Sequence, residues 1–510
     1  MNNYSLTGLV LVLLLAVPAA ASTKPEFVIT EHHTRGEARN SLFGDINGDG
    51  FTDMVSVSNV VNDAARKLYR YLNIFMGTAE GRFPEKPDQV FRLFDEAVVI
   101  DLGEVDSHSP GEEVVFAVPD GAVYLAWKDG KLDETPVRLV TETTIFQRAD
   151  PTLAVSWDFV RDWNGDGTLD ILLPGFQKSA LWTRKNGTFQ RQQYLEIPLR
   201  TLWGSHWEND VIINRVSQLA VRGSLDIPDI TYGDMTGDGI GDLTSVQFDS
   251  LFVFRGMGDG RFEEKPREIR LNVFRLSDFL KYSRLQAVTR VFLADFNKDG
   301  LLDAWTTRLK ITNLAAMEVG METSVFLNDG GKFPAKPDNF WVTDGFAETT
   351  RLGDFNNDGY PDLVIQYFPF SITQIVRFLA LGTLAIRYEY YHFDPKTGRF
   401  PEKPTNTDSW SFAFRTKPTN SSFGASFLYW NDFNGDGRPD FMQARGPGEF
   451  TIALSTAQKF GVEAHHYKVP CSFFIYSLDL NRDRRDDIVI RYENMPERNN
   501  IITILNSVAK

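Results

Sequence analysis

The chain alternates short apolar runs with tight polar loops, and the alternation repeats. Ser41-Leu42-Phe43-Gly44 leads into a polar loop, Asp53-Met54-Val55-Ser56-Val57 leaves it, and a third run, Tyr71-Leu72-Asn73-Ile74-Phe75, carries aromatics. The same order returns with Glu113 to Val118 and Gly121 to Trp127, and Leu251-Phe252-Val253-Phe254 fills the third place in a later unit. Short β-branched and aromatic runs bounded by Gly, Asn and Asp predict strands. A fourth strand follows a Gly-x-Phe turn that is itself repeated, at Gly81-Arg82-Phe83, Gly260-Arg261-Phe262, Gly331-Lys332-Phe333 and Gly398-Arg399-Phe400. Its Phe is expected to tuck between neighbouring units, and the prolines after it to mark an outer edge strand. Four short antiparallel strands per unit, repeated along the chain, predict the blades of a β-propeller.

The polar loops share one pattern, D-x-N-x-D-G-x-x-D. It is complete or nearly so at Asp45, Asn47, Asp49, Asp53; at Asp162, Asn164, Asp166, Asp170; and at Asp234, Thr236, Asp238, Asp242. It continues at Asp295, Asn297, Asp299, Asp303; at Asp354, Asn356, Asp358, Asp362; and at Asp432, Asn434, Asp436, Asp440. A seventh copy, Asp479, Asn481, Asp483 and Asp487, has Arg484 where the others have glycine, and an eroded eighth begins at Asp101. The starts lie 47 to 78 residues apart, one structural unit per loop.

Side chains at positions 1, 3 and 5 of such a loop can converge on one point, and glycine at position 6 permits the sharp turn. Position 7 (Phe51, Thr168, Ile240, Leu301, Tyr360 and Arg438) offers a backbone carbonyl, and the Asp at position 9 closes the shell. All donors are hard oxygens, which selects calcium over zinc or copper. An EF-hand would need Glu at position 12, where this chain has Ser56, Leu173 or Gln443. The alternatives are a turn that binds nothing and a structural ion that staples the turn. Three aspartates within nine residues repel one another, and repetition favours the staple. About six structural Ca2+ sites are expected.

With Gly-Asp-x-Asn-x-Asp-Gly-x-x-Asp at Gly44 to Asp53 and Gly353 to Asp362, residues of roughly 25 to 508 resemble the FG-GAP/VCBS repeat family, calcium-loop propellers that include the integrin α-subunit head. The resemblance implies an all-β propeller and calcium in the loops; it says little about function, because the fold hosts many. Counting the eroded unit gives eight blades, with seven the alternative. The last unit lacks a fourth strand, and Glu26-Phe27-Val28-Ile29-Thr30 is expected to supply it and close the ring.

Departures from regularity are expected to carry the function. Insertions fall at Val60 to Arg70, Leu309 to Met321 and Tyr367 to Ile386, and swollen connections at Tyr194 to Pro228 and Leu271 to Gln286, the latter with an amphipathic run from Leu276 to Tyr282. In a four-stranded blade these connections leave on the face opposite the aspartate loops, so the working surface is expected there. Tyr367 to Ile386 has the length of a membrane span. Arg377 in mid-run and the flanking blades argue instead for a buried helical insert or an exposed partner patch.

Length and composition fit one large array, residues 22–510 after a signal segment at 1–21. Leu6 to Val17 is apolar and Pro18-Ala19-Ala20-Ala21-Ser22 offers a cleavage site after Ala21. Met1 to Ser5 has no Lys or Arg, and an uncleaved anchor is the alternative. A secreted, periplasmic or cell-surface location follows, with no transmembrane span in the mature chain and a monomer expected. Cys471 stands alone, so no intrachain disulfide forms and the loops take over as staples. The net charge is −15, most of which six calcium ions would offset; nothing favours nucleic acid.

One cluster has the look of a site: His206 with Trp203, Trp207, Glu208 and Asp210, suited to sugar binding or acid/base work on a uronic acid, or else a packed loop. His465-His466 would point to opposite faces of a strand. Neither Gly-x-Ser-x-Gly, nor H-E-x-x-H, nor a phosphate-cradling loop is present in the sequence. The expected function is a calcium-binding adhesion scaffold for a protein or glycan; the rival is a polysaccharide-active, lyase-like enzyme on an eight-bladed propeller.

Overall fold

Strand 2 of the first unit shows how the sequence builds the fold. Side chains alternate across a strand, and Asp53-Met54-Val55-Ser56-Val57 is nevertheless buried throughout. Val55 and Val57 pack with Ile100, Val114 and Phe116 of the second unit. Met54 points the other way, to Leu480, Val489, Ile502 and Ile504 of the last. Each sheet is thus covered on both faces by its neighbours, which is why these strands read as continuous apolar runs.

The computed structural model describes residues 24–508 except 63–66, 147–154, 211–214, 275–288, 314–317, 370, 414–426, 447, 457–462, 473 and 494. It is an eight-bladed β-propeller. Blade 1 pairs Glu37–Gly44, Asp53–Asn62, Lys67–Phe75 and Gln89–Arg92 in that order. Blades 3 to 7 repeat this antiparallel order, and blade 2 gains a fifth strand, Val155–Ser156, parallel to Val99–Gly103. First strands touch between blades 1 and 2, 2 and 3, and 7 and 8, which places them toward the central axis.

Blade 8 holds Phe474–Leu478, Asp487–Arg491 and Ile501–Val508, and its outermost strand is Glu26–His33, from the other end of the chain. The register runs from Glu26 opposite Val508 to His33 opposite Ile501. His32 then reaches blade 1: its Nδ1 lies 2.7 Å from the Pro84 carbonyl and its ring stands edge-on to Phe83.

The repeated Phe does lie between blades. Phe83 packs on blade 8, Phe262 on Trp163 and Leu172 of blade 3, and Phe400 on Phe296 and Trp305 of blade 5. A side-chain amide of the preceding blade holds two of these backbones by a donor and an acceptor: Gln193 with Phe262 (2.9 and 3.0 Å) and Asn339 with Phe400 (2.8 and 3.3 Å). Blade 2 has Leu132 in place of Phe, and Gln89 clasps it likewise.

The insertions in blades 1 and 5 are longer strands. Asp303–Asn313 and Glu318–Phe326 continue their pairing past the blade, as do strands 2 and 3 of blade 1. Between blades 3 and 4, Arg200–Asp210 and Arg215–Asp226 form a separate hairpin. The amphipathic run at Leu276 to Tyr282 and the signal segment lie outside the described residues, and among those described no helix is long and apolar enough to cross a membrane.

Candidate functional site

All seven aspartate loops adopt one geometry. The position 1 carboxylate accepts the amide of position 6 at 2.6 to 2.9 Å. The position 5 carboxylate accepts the amide of position 7 at 2.8 to 3.0 Å. The position 9 carboxylate accepts the amide of position 2 at 2.9 to 3.2 Å. Position 6 is left-handed throughout, with φ of 80° to 90° at the six glycines and 69° at Arg484. Arg484 therefore carries strain that the loop's hydrogen bonds overcome, and blade 8 keeps the turn without its glycine.

Position 9 also ties loop to blade. In six copies its other oxygen accepts an amide at or beyond the end of strand 3, from Gly77, Gly256, Asn328, Phe393, Ser455 or Ser507. Burial raises Asp53, Asp242, Asp303, Asp440 and Asp487. Asp53 is pushed up to about 6, Asp303 and Asp487 to about 7, and Asp440 to about 8, with the charges at positions 1 and 5 adding in the first two and in Asp440. Asp362 also has the His392 ring at 2.8 Å.

The loops are chained to one another. The carbonyl of a position 1 Asp accepts the amide of position 8 in the next blade: Asp45 from Glu112 (2.8 Å), Asp234 from Leu302 (2.9 Å) and Asp432 from Asp486 (2.8 Å). Pro361 and Pro439 hold position 8 in blades 6 and 7 and have no amide to give.

Blade 2 corrects the frame of the eroded copy. Asp101 lies within strand 1, and Gly103 pairs with Glu113 as Gly44 pairs with Asp53. The equivalent loop is therefore Glu104 to Glu113, with Asp106 third and Glu113 last. Glu113 accepts the amides of Val105 and Asp106 (2.7 and 3.0 Å), as position 9 does elsewhere. Asp106 is taken up by the Tyr124 hydroxyl and the His108 amide. Asp101 has another role. Its carboxylate accepts the amides of Phe159 and Val160 in blade 3, at 2.8 and 2.9 Å. A strand pairing, invisible in one sequence, was needed to see this.

Asp295 Oδ1, at position 1 of its loop, is a buried carboxylate oxygen without a hydrogen-bond partner, which suits an oxygen-seeking ion. Among the described residues, no three His, Cys, Asp or Glu side chains form a metal cluster by themselves. A calcium shell here needs the Asn or Thr oxygen of position 3 and the carbonyl of position 7.

The opposite face is unlike this one. In blade 6, Asp362–Pro369 and Thr383–Tyr391 are joined by a helix, Ile372–Leu381, capped by Ser371 and by left-handed Gly382. Two of its polar side chains turn inward: Gln374 Oε1 accepts the Ala385 amide at 3.4 Å and Arg377 Nε donates to Thr383 Oγ1 at 3.2 Å, while Thr373 is exposed. Most of its apolar ones turn outward, with Ile372 75% exposed, Val376 57%, Leu379 77% and Leu381 69%, and Phe378 half-buried. This inverts the amphipathic rule for a surface helix. The insert is thus exposed, not buried.

His206 and its neighbours fall on the hairpin backbone between blades 3 and 4; their side chains lie outside the described residues. His465 and His466 sit on Glu463–Tyr467, and His466 Nδ1 lies 2.9 Å from Thr451 Oγ1.

No protein-family model and no curated protein matches the chain. Solved structures do. It is similar to an Agrocybe aegerita lectin that recognises non-reducing terminal N-acetylglucosamine, at 16% identity and TM-score 0.37, over 77% of this chain and 96% of that one. The Vibrio cholerae biofilm matrix protein Bap1 aligns at 12% identity and TM-score 0.28, over 91% and 76%. A Bacillus licheniformis rhamnogalacturonan lyase aligns at 11% and 0.28, over 90% and 65%. At these values the likenesses bear on no function.

Proposed function

We propose that this protein is a secreted, non-catalytic adhesion scaffold: a propeller stapled by calcium in its FG-GAP/VCBS-like loops, engaging a protein or glycan through the opposite face. The observation that carries it is the outward-turned apolar surface of Ile372–Leu381. A contiguous exposed apolar surface on a soluble chain marks an interaction site. The loops supply rigidity: their side chains are spent on backbone amides within and between blades, which suits stapling better than turnover.

The test mixes the mature protein, in calcium, with acidic and neutral polysaccharides, and follows both retention and ultraviolet absorbance. Retention without new absorbance supports a glycan-binding scaffold, and neither signal supports a protein partner. New absorbance from unsaturated sugar products would establish a lyase instead and direct mutagenesis to His206.

A further inference from the structure

Asparagine precedes glycine at four places: Asn47, Asn164, Asn186 and Asn434. Such pairs are chemically labile. The glycine amide nitrogen can attack the asparagine Cγ, because no side chain stands in its way. The fold holds these pairs in two different ways.

Three of them fill positions 3 and 4 of aspartate loops. There the glycine amide donates to the position 1 carboxylate: Gly48 to Asp45, Gly165 to Asp162 and Gly435 to Asp432, at 2.6 to 2.7 Å. The asparagine Oδ1 accepts the position 5 amide at 2.9 Å in each. Nδ2 of Asn47 and of Asn434 also donates to the position 5 carboxylate, at 2.9 and 3.3 Å. Ring closure must turn the nitrogen toward Cγ and release the side chain, so these bonds have to break first.

The fourth pair is the tip of a hairpin in blade 3. Asn186 and Gly187 join Ser179–Lys185 to Thr188–Leu195, with Lys185 opposite Thr188. Both have positive φ, 51° and 80°, as a two-residue Asn-Gly turn requires. Both are exposed, and no heavy atom lies within 4 Å of the place a Cβ would take on Gly187. Among the described residues, no hydrogen bond holds the Asn186 side chain or the Gly187 amide.

We infer that Asn186 is a site of spontaneous deamidation, and that the loop hydrogen bonds spare Asn47, Asn164 and Asn434. The Gly187 nitrogen bonds to Asn186 Cγ, the bond from Cγ to the side-chain nitrogen breaks, and ammonia leaves with the proton of the Gly187 amide. The succinimide then takes up one water. Opening on one side gives aspartate, and opening on the other gives isoaspartate. Water is the sole co-reactant. Either product places a new negative charge beside Lys185. Isoaspartate also adds a carbon to the main chain inside a two-residue turn, against the pairing of Lys185 with Thr188. The turn joins strands 3 and 4 of its blade, so it lies on the aspartate-loop side, away from the face proposed to engage a partner.

The test holds the folded mature protein at mildly alkaline pH in calcium buffer, beside a sample unfolded in guanidinium. Both are digested at intervals and read by mass spectrometry. The unfolded sample is expected to convert all four asparagines at comparable rates, and it sets the clock. In the folded sample Asn186 should convert within the same period, to aspartate and isoaspartate, and each loop asparagine at least about tenfold more slowly. Asn186 still intact in the folded chain, once the unfolded sample has converted, would overturn the inference. Equal rates at the four sites in the folded chain would overturn the shielding by the loops.

Discussion

Asp486 grips Asp432 by both of its backbone groups. The Asp486 amide donates to the Asp432 carbonyl at 2.8 Å, and the Asp486 carboxylate accepts the Asp432 amide at 2.8 Å. Glu112 does the same to Asp45 in blades 2 and 1, at 2.8 and 3.0 Å. These clamps join consecutive loops, so the ring's aspartate-loop face is one hydrogen-bonded unit at those seams.

Removing the clamp's acceptor strands a half-buried amide. Asp486→Ala is expected to destabilise the fold by about 1–3 kcal/mol. Asp486→Asn keeps an oxygen and removes a charge that burial already disfavours, so it should lie within about 0.5 kcal/mol of wild type. Denaturant titration of the two variants decides this; equal losses would show that the charge, not the hydrogen bond, matters.

Calcium should bind the folded chain alone. At a free concentration one hundred times Kd, each site adds about 2.7 kcal/mol by mass action. Chelation is therefore expected to lower the thermal midpoint greatly, and Asp162→Ala to lower the calcium count by one. An unchanged midpoint in chelator, or an undiminished count by elemental analysis, would contradict the staple.

Asp101 should give stability a pH dependence from outside the aspartate loops. Burial pushes its carboxyl from 3.8 up to about 7. Between these values the folded chain holds a proton that the unfolded chain has released. Stability then falls as pH rises through that window, and the penalty is complete above about pH 7. Asp101→Asn keeps an oxygen for the Phe159 and Val160 amides, gives up the one that accepts the Leu102 amide, and cannot ionise. It should gain on wild type by on the order of 2 kcal/mol between pH 5 and pH 8. Denaturation at the two pH values, in chelator, reads the difference.

Removing Glu26–His33 should unmask the edge of Ile501–Val508, whose residues up to Ser507 are buried. An unpaired apolar edge recruits other chains. The truncated protein is expected to self-associate, as light scattering after size exclusion would register; a monomer as stable as wild type would show the ring closes without this strand.

The sequence by itself determined the local structure. Glycine at position 6 and acids at 1, 5 and 9 specify the loop through bonds spanning at most eight residues, so all seven were readable, as were the blade grammar and the Gly-x-Phe turn. Local chemistry even survives Arg484. Tertiary structure decided whatever depends on who stands beside whom. The true frame of the blade 2 loop needed the Gly103–Glu113 pairing, because one added residue between strands hides it. The clamps of Asp486 and Glu112, the Gln193 and Asn339 clasps and the Asp101 bridge join residues some tens of positions apart and leave no periodic trace. The helix in blade 6 shows the same limit: its apolar residues predicted burial or a patch equally well. Only the turning of Gln374 and Arg377 toward Ala385 and Thr383 put Leu379 in solvent, because a helix can satisfy its polar side chains on one side alone and the other then faces outward.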